Sequence, residues 1–233
     1  MIRQATQNDV LAVESITQAV WDQKIDHKTF RDHVDSDTRV IRVAIKNDHV
    51  AGFVSTFLTV DVHNNRRWEI DLLVVNPENQ GQGWGTALIQ SVWEDAQKHK
   101  ATFARAMVRT DNIASQKAFA HAGYSTNGKS HHLYLWPPQK CATQVTIPKD
   151  VTLLPMDTLT YRGLWIEGLI SPHLTQKDQS DILSKAQDIV ATQKRHNTGA
   201  TIPVGEEATL SEAIRNKGKI HGEYNWWIKS VKE

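Results

Sequence analysis

The sequence predicts an α/β (α+β) protein, and three observations favour this fold class. In residues 72–88 a short apolar run ends at Pro77, three alternating glycines follow, and an amphipathic helical pattern then begins. Strand-like and helix-like apolar spacings also alternate along the first part of the chain. The length of 233 residues is enough for one large domain or two small ones with a substantial core.

Taken in order, residues 1–137 predict strand, two helices, three strands, helix, strand, helix, strand. Thr6 is suited to cap the first helix, Asn47 and Asp48 to turn the second strand into the third, and Gly123 to stop the last helix. The predicted strands are residues 2–5, 40–45, 50–58, 68–75, 103–108 and 133–136, and the predicted helices are residues 7–20, 28–34, 83–100 and 112–122.

Proline and polar residues at 137–144 predict a linker, so we expect a first domain at residues 1–140 and a smaller α/β domain at residues 141–233. In the second, Thr175 is suited to cap a helix over 176–195, and a short helix (210–216) and an aromatic strand (224–231) follow. Residues 151–157 with 161–169 resemble the opening strand and helix, and residues 213–222 resemble the segment that starts at 112. Residues 141–233 are either a degenerate partial repeat of the first domain or an unrelated extension, and the sequence leaves both interpretations open.

Composition argues against several functional classes. The net charge of +1, from 27 basic and 26 acidic residues, leaves no electrostatic footprint for nucleic acid. The single cysteine, Cys141, cannot form an internal disulfide. A polar N-terminus and the lack of a long apolar run predict neither a signal peptide nor a membrane span. The histidines show no metal-ligand spacing. We therefore expect a cytoplasmic protein that binds neither membrane, nucleic acid nor metal.

The glycine loop has the geometry that binds phosphate, because the N–H groups at a helix N-terminus lack intrahelical partners and the helix dipole favours an anion there. Two known phosphate motifs do not fit. Gly81 and Gly83 match the start of the dinucleotide pattern G-x-G-x-x-G, but its last glycine falls on Thr86. The mononucleotide pattern G-x-x-x-x-G-K-[ST] is absent from the sequence.

The run Gln80-x-x-Gly83-x-Gly85 instead resembles the pyrophosphate loop, Q/R-x-x-G-x-G/A, of the GNAT superfamily of acyl-CoA N-acyltransferases. Two further segments strengthen the resemblance, Val75-x-Pro77 before the loop and Asn112-x-x-Ser115-x-x-x-Phe119-x-x-x-Gly123-Tyr124 after it. The resemblance covers about residues 1–137 and implies a mixed central sheet flanked by helices.

The resemblance also implies acetyl-CoA as a co-substrate. It places pantetheine and the thioester along the strand end and the pyrophosphate on the loop, with a further contact from the later helix. The residues concerned are Leu73, Val74 and Val75 on the strand, Gln80, Gly81, Gln82, Gly83, Trp84, Gly85 and Thr86 in the loop, and Asn112, Ser115 and Phe119 on the helix.

Glu69 is the first candidate for the catalytic base, because histone-acetyltransferase-like members carry a glutamate at the same offset before the loop. Strand alternation predicts that Glu69, Asp71 and Leu73 share one face. Desolvation would raise the pKa of a carboxyl in this apolar strand toward the range useful to a base. The alternative for Glu69 is a salt-bridged or solvent-facing glutamate, and Asp71 is the second candidate.

Phe119 stands where many members have a tyrosine that protonates the leaving thiolate, so the resemblance supplies no general acid. The favoured function is an acetyl-CoA-dependent N-acetyltransferase in which the amine of a small molecule or protein attacks directly in a ternary complex. A non-catalytic acyl-CoA sensor and a protein-interaction module are the alternatives.

The apolar surface of residues 141–233 is expected to pack on the first domain or on a second subunit, so a homodimer is one option. A chain that ends at Lys140 is expected to keep acetyl-CoA binding and to lose acceptor affinity or solubility.

Overall fold

A single mixed sheet of ten strands runs through the computed structural model, which describes residues 1–141 and 145–230. The strands are β1 (Ile2–Gln4), β2 (Arg39–Lys46), β3 (His49–Val60), β4 (Arg66–Val75), β5 (Phe103–Arg109), β6 (Ser130–Trp136), β7 (Thr152–Asp157), β8 (Arg162–Glu167), β9 (Thr198–Pro203) and β10 (Lys219–Ser230). The helices are α1 (Val10–Trp21), α2 (His27–Val34), α3 (Trp84–Ser91), α4 (Trp93–Lys98), α5 (Ile113–His121), α6 (Gln176–Thr192) and α7 (Glu212–Arg215).

The strand order is β1-β2-β3-β4-β5-β10-β6-β9-β8-β7. Two neighbouring pairs of described strands are parallel, β4 with β5 and β8 with β9, and the other pairs are antiparallel. Parallel neighbours need a crossover connection, and helices supply it in both places: α3 and α4 in the first, α6 in the second. The predicted mixed sheet flanked by helices is confirmed.

The two halves of the sheet repeat one order of elements. The run β3, β4, α3 with α4, β5, α5, β6 is followed by β7, β8, α6, β9, α7, β10. The segment after residue 140 is therefore a partial repeat in topology. Helix α7 lies where the sequence suggested a counterpart of the helix at 112. The hairpin β7–β8, in contrast, corresponds to β3–β4 and not to the opening strand and helix.

The two halves exchange their last strands. Strand β10 lies between β5 and β6, paired with β5 from Tyr224↔Arg109 to Ser230↔Phe103 and with β6 from Lys219↔Leu135 to Asn225↔Ser130. Strand β6 pairs in turn with β9 of the second half. Because the final strand of each half is hydrogen-bonded to the other half, the boundary predicted at residue 140 falls inside one continuous sheet.

Helices cover both faces of the first half. On one face α1 and α2 bury Val13, Ile16 and Phe30 against β2 and β3. On the other face α3, α4 and α5 pack a core that includes Leu88 and Phe119. A separate core lies under α6 and α7. Together these layers leave one region of the sheet uncovered by helices, where β4, β5, β10 and β6 face the β7–β8 hairpin.

Three sequence predictions are wrong in detail. Residues 161–169 contain strand β8, because a tight turn in which Thr158 N–H donates to the Tyr161 carbonyl (2.8 Å) folds it back on β7. The helix predicted over 83–100 is broken at Val92 into α3 and α4. Strand β9 was not predicted, since Gly199 and Ala200 are weak strand formers.

Residues 142–144 of the predicted linker and residue 231 of the predicted last strand lie outside the described residues.

The exchange changes what we expect of a chain ending at Lys140. Such a chain lacks β10, and the edges of β5 and β6 that β10 pairs with lose their hydrogen-bond partners. We expect it to be insoluble or poorly folded when expressed alone, and to be rescued by co-expression with residues 141–233. Yield of a soluble one-to-one complex, measured by size-exclusion chromatography and circular dichroism, checks this. A monomeric, cooperatively folding 1–140 fragment would contradict it.

Candidate active site

A bulge in β4 sets the geometry of the site. Ser55 pairs with Leu72 and Thr56 pairs with Ile70, which leaves Asp71 as an extra residue opposite β3. An extra residue reverses the alternation of side chains that follow it. Ile70 therefore packs under α3–α5, and so does Leu73. The prediction that Leu73 shares a face with Glu69 and Asp71 is wrong for this reason.

Strands β4 and β5 separate just beyond the bulge. They pair from Arg67↔Phe103 to Ile70↔Ala106, and the described pairing ends there although β4 continues to Val75 and β5 to Arg109. The opening is a wedge, and the backbone groups on its β4 side are not paired with a neighbouring strand. Leu73, Val74 and Val75, the residues predicted to place a thioester, form that side.

The glycine loop lies at the wide end of the wedge. Gly81 (φ +73°) and Gly83 (φ +82°) take left-handed backbone conformations with open space where a Cβ would point. Gly83 is the N-cap of α3 and provides no side-chain cap. Among the described residues, no acceptor is present for the backbone N–H groups of residues 81–86. The indole N–H of Trp84 is also buried without a partner there. The loop thus presents a concentrated set of donors.

The polar side chains around the loop make bonds within the protein. Gln80 Nε2 donates to the Val75 carbonyl (3.1 Å), and Lys46 Nζ donates to Gln82 Oε1 (2.8 Å). Asn112 is the N-cap of α5, where its Oδ1 accepts from Ser115 N–H (3.0 Å). The donors that remain at this end of the wedge are therefore mainly backbone N–H groups, together with the second N–H of the Gln80 amide.

Phe119 lies away from the wedge's polar groups, in the core under α5. It is 2 % exposed, and its ring packs edge-on against Tyr124 (5.3 Å between centroids) and tilted against Trp227 (6.4 Å). Gly85 of α3 lies close to this helix, where an added Cβ would be in ordinary van der Waals contact with that of Ala118 (3.6 Å). Both residues serve the packing of α3 on α5.

Glu69 is buried and is bound by several donors. Arg105 Nε approaches both of its carboxylate oxygens (2.8 and 3.0 Å), and the Thr59 hydroxyl donates to Oε1 (2.6 Å). Arg105 also binds Glu167 of the second half (2.6 Å), which binds Arg67 as well (2.6 Å). These four charged residues form a chain of ion pairs across the two halves, which we call the buried charge network. The alternative weighed for Glu69, a salt-bridged strand glutamate, matches its contacts.

Asp71 has a different environment, although it lies only two residues away. Its Oδ2 is buried with no hydrogen-bond partner among the described residues. Burial raises the pKa of its carboxyl to about 7, while the charge of Arg39 and a hydrogen bond to the Thr158 side chain oppose the shift. Asp71 therefore exchanges its proton near neutral pH, the range in which a general base is effective.

Both carboxyls face a cavity of about 810 Å³ that the second half closes. Its lining includes Met107 and Trp226 on the exchanged pair β5–β10 and Leu154 and Trp165 on the β7–β8 hairpin. Tyr224 of β10 also lines it. Burial raises the pKa of the Tyr224 phenol, while a hydrogen bond from Arg109 acts in the opposite direction. The wedge and the cavity meet at the Asp71 bulge.

Sequence reasoning missed the residues that the second half contributes. Glu167, Trp165 and Tyr224 lie in segments without a motif, more than 90 residues along the chain from Asp71. Alternation in the aromatic strand could have placed Tyr224 and Trp226 on one face and Trp227 on the other. It could not have identified β5 and β6 as the neighbours of that strand.

In fold, the protein is similar to known acetyltransferases. The GCN5-related N-acetyltransferase from Sphaerobacter thermophilus aligns with 100% of this chain and 96% of its own (TM-score 0.59, 11% identity). A GCN5-related glucosamine N-acetyltransferase region of a fungal multi-domain GH3 β-N-acetylglucosaminidase aligns with 98% of this chain (TM-score 0.61, 13% identity), which spans only 38% of that enzyme. Ribosomal-protein-alanine N-acetyltransferase from Brucella melitensis aligns with 57% of this chain and 88% of its own (TM-score 0.50, 22% identity).

Residues 10–124 match the sequence model of the Acetyltransferase (GNAT) family. This part of the chain is therefore a GNAT acetyltransferase domain, as the motifs predicted. The match ends at Tyr124, before β6, so the second half of the sheet lies outside it. Comparison with curated proteins finds no significant match. No described helix is long and apolar enough to cross a membrane.

The buried charge network makes a prediction about stability. Glu167→Gln removes the charge that neutralises Arg67 and Arg105 together, and Arg67 Nη2 already lacks a partner among the described residues. Glu69 and Asp61 stay near the two arginines, but removing one partner from a buried ion-pair network is strongly destabilising, so we expect a loss of about 3 kcal/mol in the free energy of unfolding. Urea denaturation measures it. The exposed Glu212→Gln is the matched control, expected within about 0.5 kcal/mol of the wild type. Equal stability of the two variants would contradict the role of the network.

Proposed function

We propose that the protein is an acetyl-CoA-dependent N-acetyltransferase in which an amine attacks the donor directly. One observation carries the proposal. Strand β4 carries at its bulge a buried carboxyl, Asp71, that titrates near neutral pH, and it leads into the donor-rich glycine loop, so the two lie at opposite ends of one wedge. Acyl transfer to an amine needs an anchored donor and a group that takes a proton from the acceptor.

The loop and the wedge fit the two ends of acetyl-CoA. Unpartnered N–H groups at a helix N-terminus favour a pyrophosphate, and the open space at Gly81 and Gly83 lets it approach the backbone. The unpaired edge of β4 can hydrogen-bond the amide groups of pantetheine, as a neighbouring strand would. When bound, acetyl-CoA supplies an activated thioester carbonyl. Leu73, Val74 and Val75 keep their proposed role beside it.

Asp71 is the group we assign as the general base. Its Oδ2 has no competing donor among the described residues, and it lies where the wedge opens into the cavity. Glu69, the candidate favoured by sequence position, has both oxygens engaged by Arg105. Carboxylate oxygens that already accept from a guanidinium are less free to accept a proton from an amine. We therefore assign Glu69 a positioning role.

Tyr224 is the hydroxyl we assign to return a proton to the leaving sulfur. The other tyrosines are placed elsewhere: Tyr124 and Tyr134 are buried in helix-covered cores, and Tyr161 donates its proton to the Asn197 carbonyl (3.1 Å). The Tyr224 oxygen accepts from Arg109, which leaves its own proton available to an acceptor in the cavity. A group from β10 would thus replace the tyrosine missing at Phe119.

The lining of the cavity supports direct attack. The chain has one cysteine, Cys141, and it is not among the described residues that line the cavity. Asp71 is suited to accept a proton from the amine, which lets the amine itself act as the nucleophile. The non-catalytic sensor is the second candidate. A carboxyl with a pKa near 7 at the junction favours turnover, since binding alone does not require it.

Glucosamine and ribosomal-protein alanine, after which two of the similar acetyltransferases are named, are acceptors to test here. The release of free thiol from acetyl-CoA over a panel of amines separates the enzyme from the sensor. Turnover with at least one amine supports the enzyme. Acetyl-CoA binding without turnover on any amine supports the sensor.

The first functional prediction concerns the loop. Gly83→Asp places a negative charge against the pyrophosphate site and strains a left-handed backbone position, so acetyl-CoA affinity should fall at least 100-fold, about 2.7 kcal/mol. Gly128→Asp is the matched control, because Gly128 also has positive φ (+76°) and open space beyond its Cα but lies far along the chain from the loop. Isothermal titration measures both variants. Equal affinities in the two folded variants would remove the loop from the binding site.

The second functional prediction concerns the base. Asp71→Asn keeps the shape of the side chain but cannot accept a proton, so kcat should fall on the order of 10²–10⁴-fold. In the wild type, kcat should decline as pH falls below about 7, because Asp71 must be ionised to act. The variant should lose this dependence and keep its acetyl-CoA affinity.

Two further variants separate the roles around Asp71. Glu69→Gln should lower the free energy of unfolding and leave the pH dependence of kcat in place, since its carboxylate serves the buried charge network. Tyr224→Phe should lower kcat without removing the decline below pH 7. An Asp71→Asn enzyme with near-normal kcat, or a Glu69→Gln enzyme without the acidic decline, would return the base to Glu69 or to water.

A further inference from the structure

The chemistry of the cavity beyond Asp71 restricts the acceptor. Its walls are largely apolar, and they come from both halves of the sheet: Phe57, Met107, Leu135, Leu154, Met156 and Trp165. Leu154 and Trp165 are 7 % and 8 % exposed, so little of these side chains reaches bulk water. At about 810 Å³ the cavity has the size of a site for one small organic molecule.

The polar groups that line the cavity are mostly engaged with one another. Glu69 and Arg105 bind each other, and Arg105 also stacks over the ring of Trp226 (4.4 Å to the centroid). The Thr158 hydroxyl donates to the Tyr161 carbonyl (3.1 Å), and the Tyr161 hydroxyl donates to Asn197. Of the carboxylate oxygens lining the cavity, Oδ2 of Asp71 is the one buried without a partner in the described residues. The cavity therefore offers one strong acceptor for one nitrogen.

The outer part of the cavity adds a charge constraint. Lys219 and His221 line it from the exposed start of β10. A cation at this position repels a second positive charge on the ligand. Polyamines are thus poorly matched because of their charge, and amino sugars are less well matched than alkylamines because hydroxyls placed against the apolar walls would lose water.

We infer that the acceptor is a small primary amine with a single nitrogen on an extended apolar or aromatic body, bound with its nitrogen at Asp71 and its body between Met107, Leu154 and Trp165. The inference rests on the proposed function and narrows it to one class of substrate. The second half lines the side of the wedge on which the acceptor would lie, which favours a small amine over a protein amine.

A homologous series of amines tests the inference quantitatively. Burial of each added methylene contributes about 0.8 kcal/mol, so kcat/KM should rise about fourfold per carbon from propylamine to hexylamine. Phenylethylamine should exceed glucosamine, spermidine and an alanine-terminated peptide by at least tenfold. Free-thiol release under saturating acetyl-CoA gives these values, and titration of hexylamine into the protein saturated with CoA gives binding without turnover.

Matched variants locate the apolar body. Met156→Gln keeps side-chain length and adds an amide to the wall, so it should raise KM for hexylamine about tenfold and leave acetyl-CoA affinity unchanged. Leu11→Gln, at a residue that is 67 % exposed on α1, is the control and should change neither quantity. Met156 is half-buried and its replacement is tolerated more readily than that of Leu154, which makes a folded variant attainable.

The outcomes distinguish this inference from the function on which it rests. Efficient acetylation of glucosamine, spermidine or the peptide with a flat alkylamine series would overturn the substrate class and leave the N-acetyltransferase in place. Failure to bind acetyl-CoA would remove the proposed function itself. If acetyl-CoA binds but no amine in the panel is acetylated, the hexylamine titration decides: binding that Met156→Gln weakens supports the class, and no binding overturns it.

Discussion

The arrangement of the molecule depends on one strand pairing, the insertion of β10 between β5 and β6. Because β10 starts beyond α7 and ends beside the start of β5, it joins the last part of the chain to the centre of the first half. Its backbone hydrogen bonds make one sheet out of two similar runs of elements. The same strand carries Tyr224 and Trp226 into the cavity, so the pairing that holds the halves together also builds the surface that faces Asp71.

A single extra residue in β4 shapes that surface. The bulge at Asp71 ends the regular pairing of β4 with β5 and reverses which side chains face the helices. Backbone groups that a sheet would normally satisfy are left facing a wedge, and the residue at the bulge is a carboxylic acid. Cores tolerate such irregularities where the surrounding structure holds them, and here β3 on one side and the second half on the other do so.

Glu69 and Asp71 lie two residues apart on β4, but their carboxyl groups have different surroundings. Glu69 is neutralised by Arg105, and through Glu167 it belongs to a network that joins the halves. Asp71 forms no ion pair within the described chain, and burial is the largest influence on its pKa, opposed by the charge of Arg39 and a hydrogen bond to Thr158. A difference of two residues in sequence thus becomes a difference in chemistry, because Glu69 is bound by a guanidinium group while Oδ2 of Asp71 is buried without a hydrogen-bond partner.

The sequence alone determined the first half: the order of its strands and helices, the glycine loop and its suitability for a pyrophosphate, and the family. Those features are local, since apolar periodicity and glycine geometry act over a few residues. The exchange of β6 and β10, the bulge at Asp71 and the partners of Glu69 were decided only by the tertiary structure. Strand pairing between residues about a hundred positions apart leaves no local pattern, and a carboxyl's pKa is set by groups that the fold brings to it. For this reason the sequence favoured Glu69 over Asp71, and the difference between their surroundings became visible only in the tertiary structure.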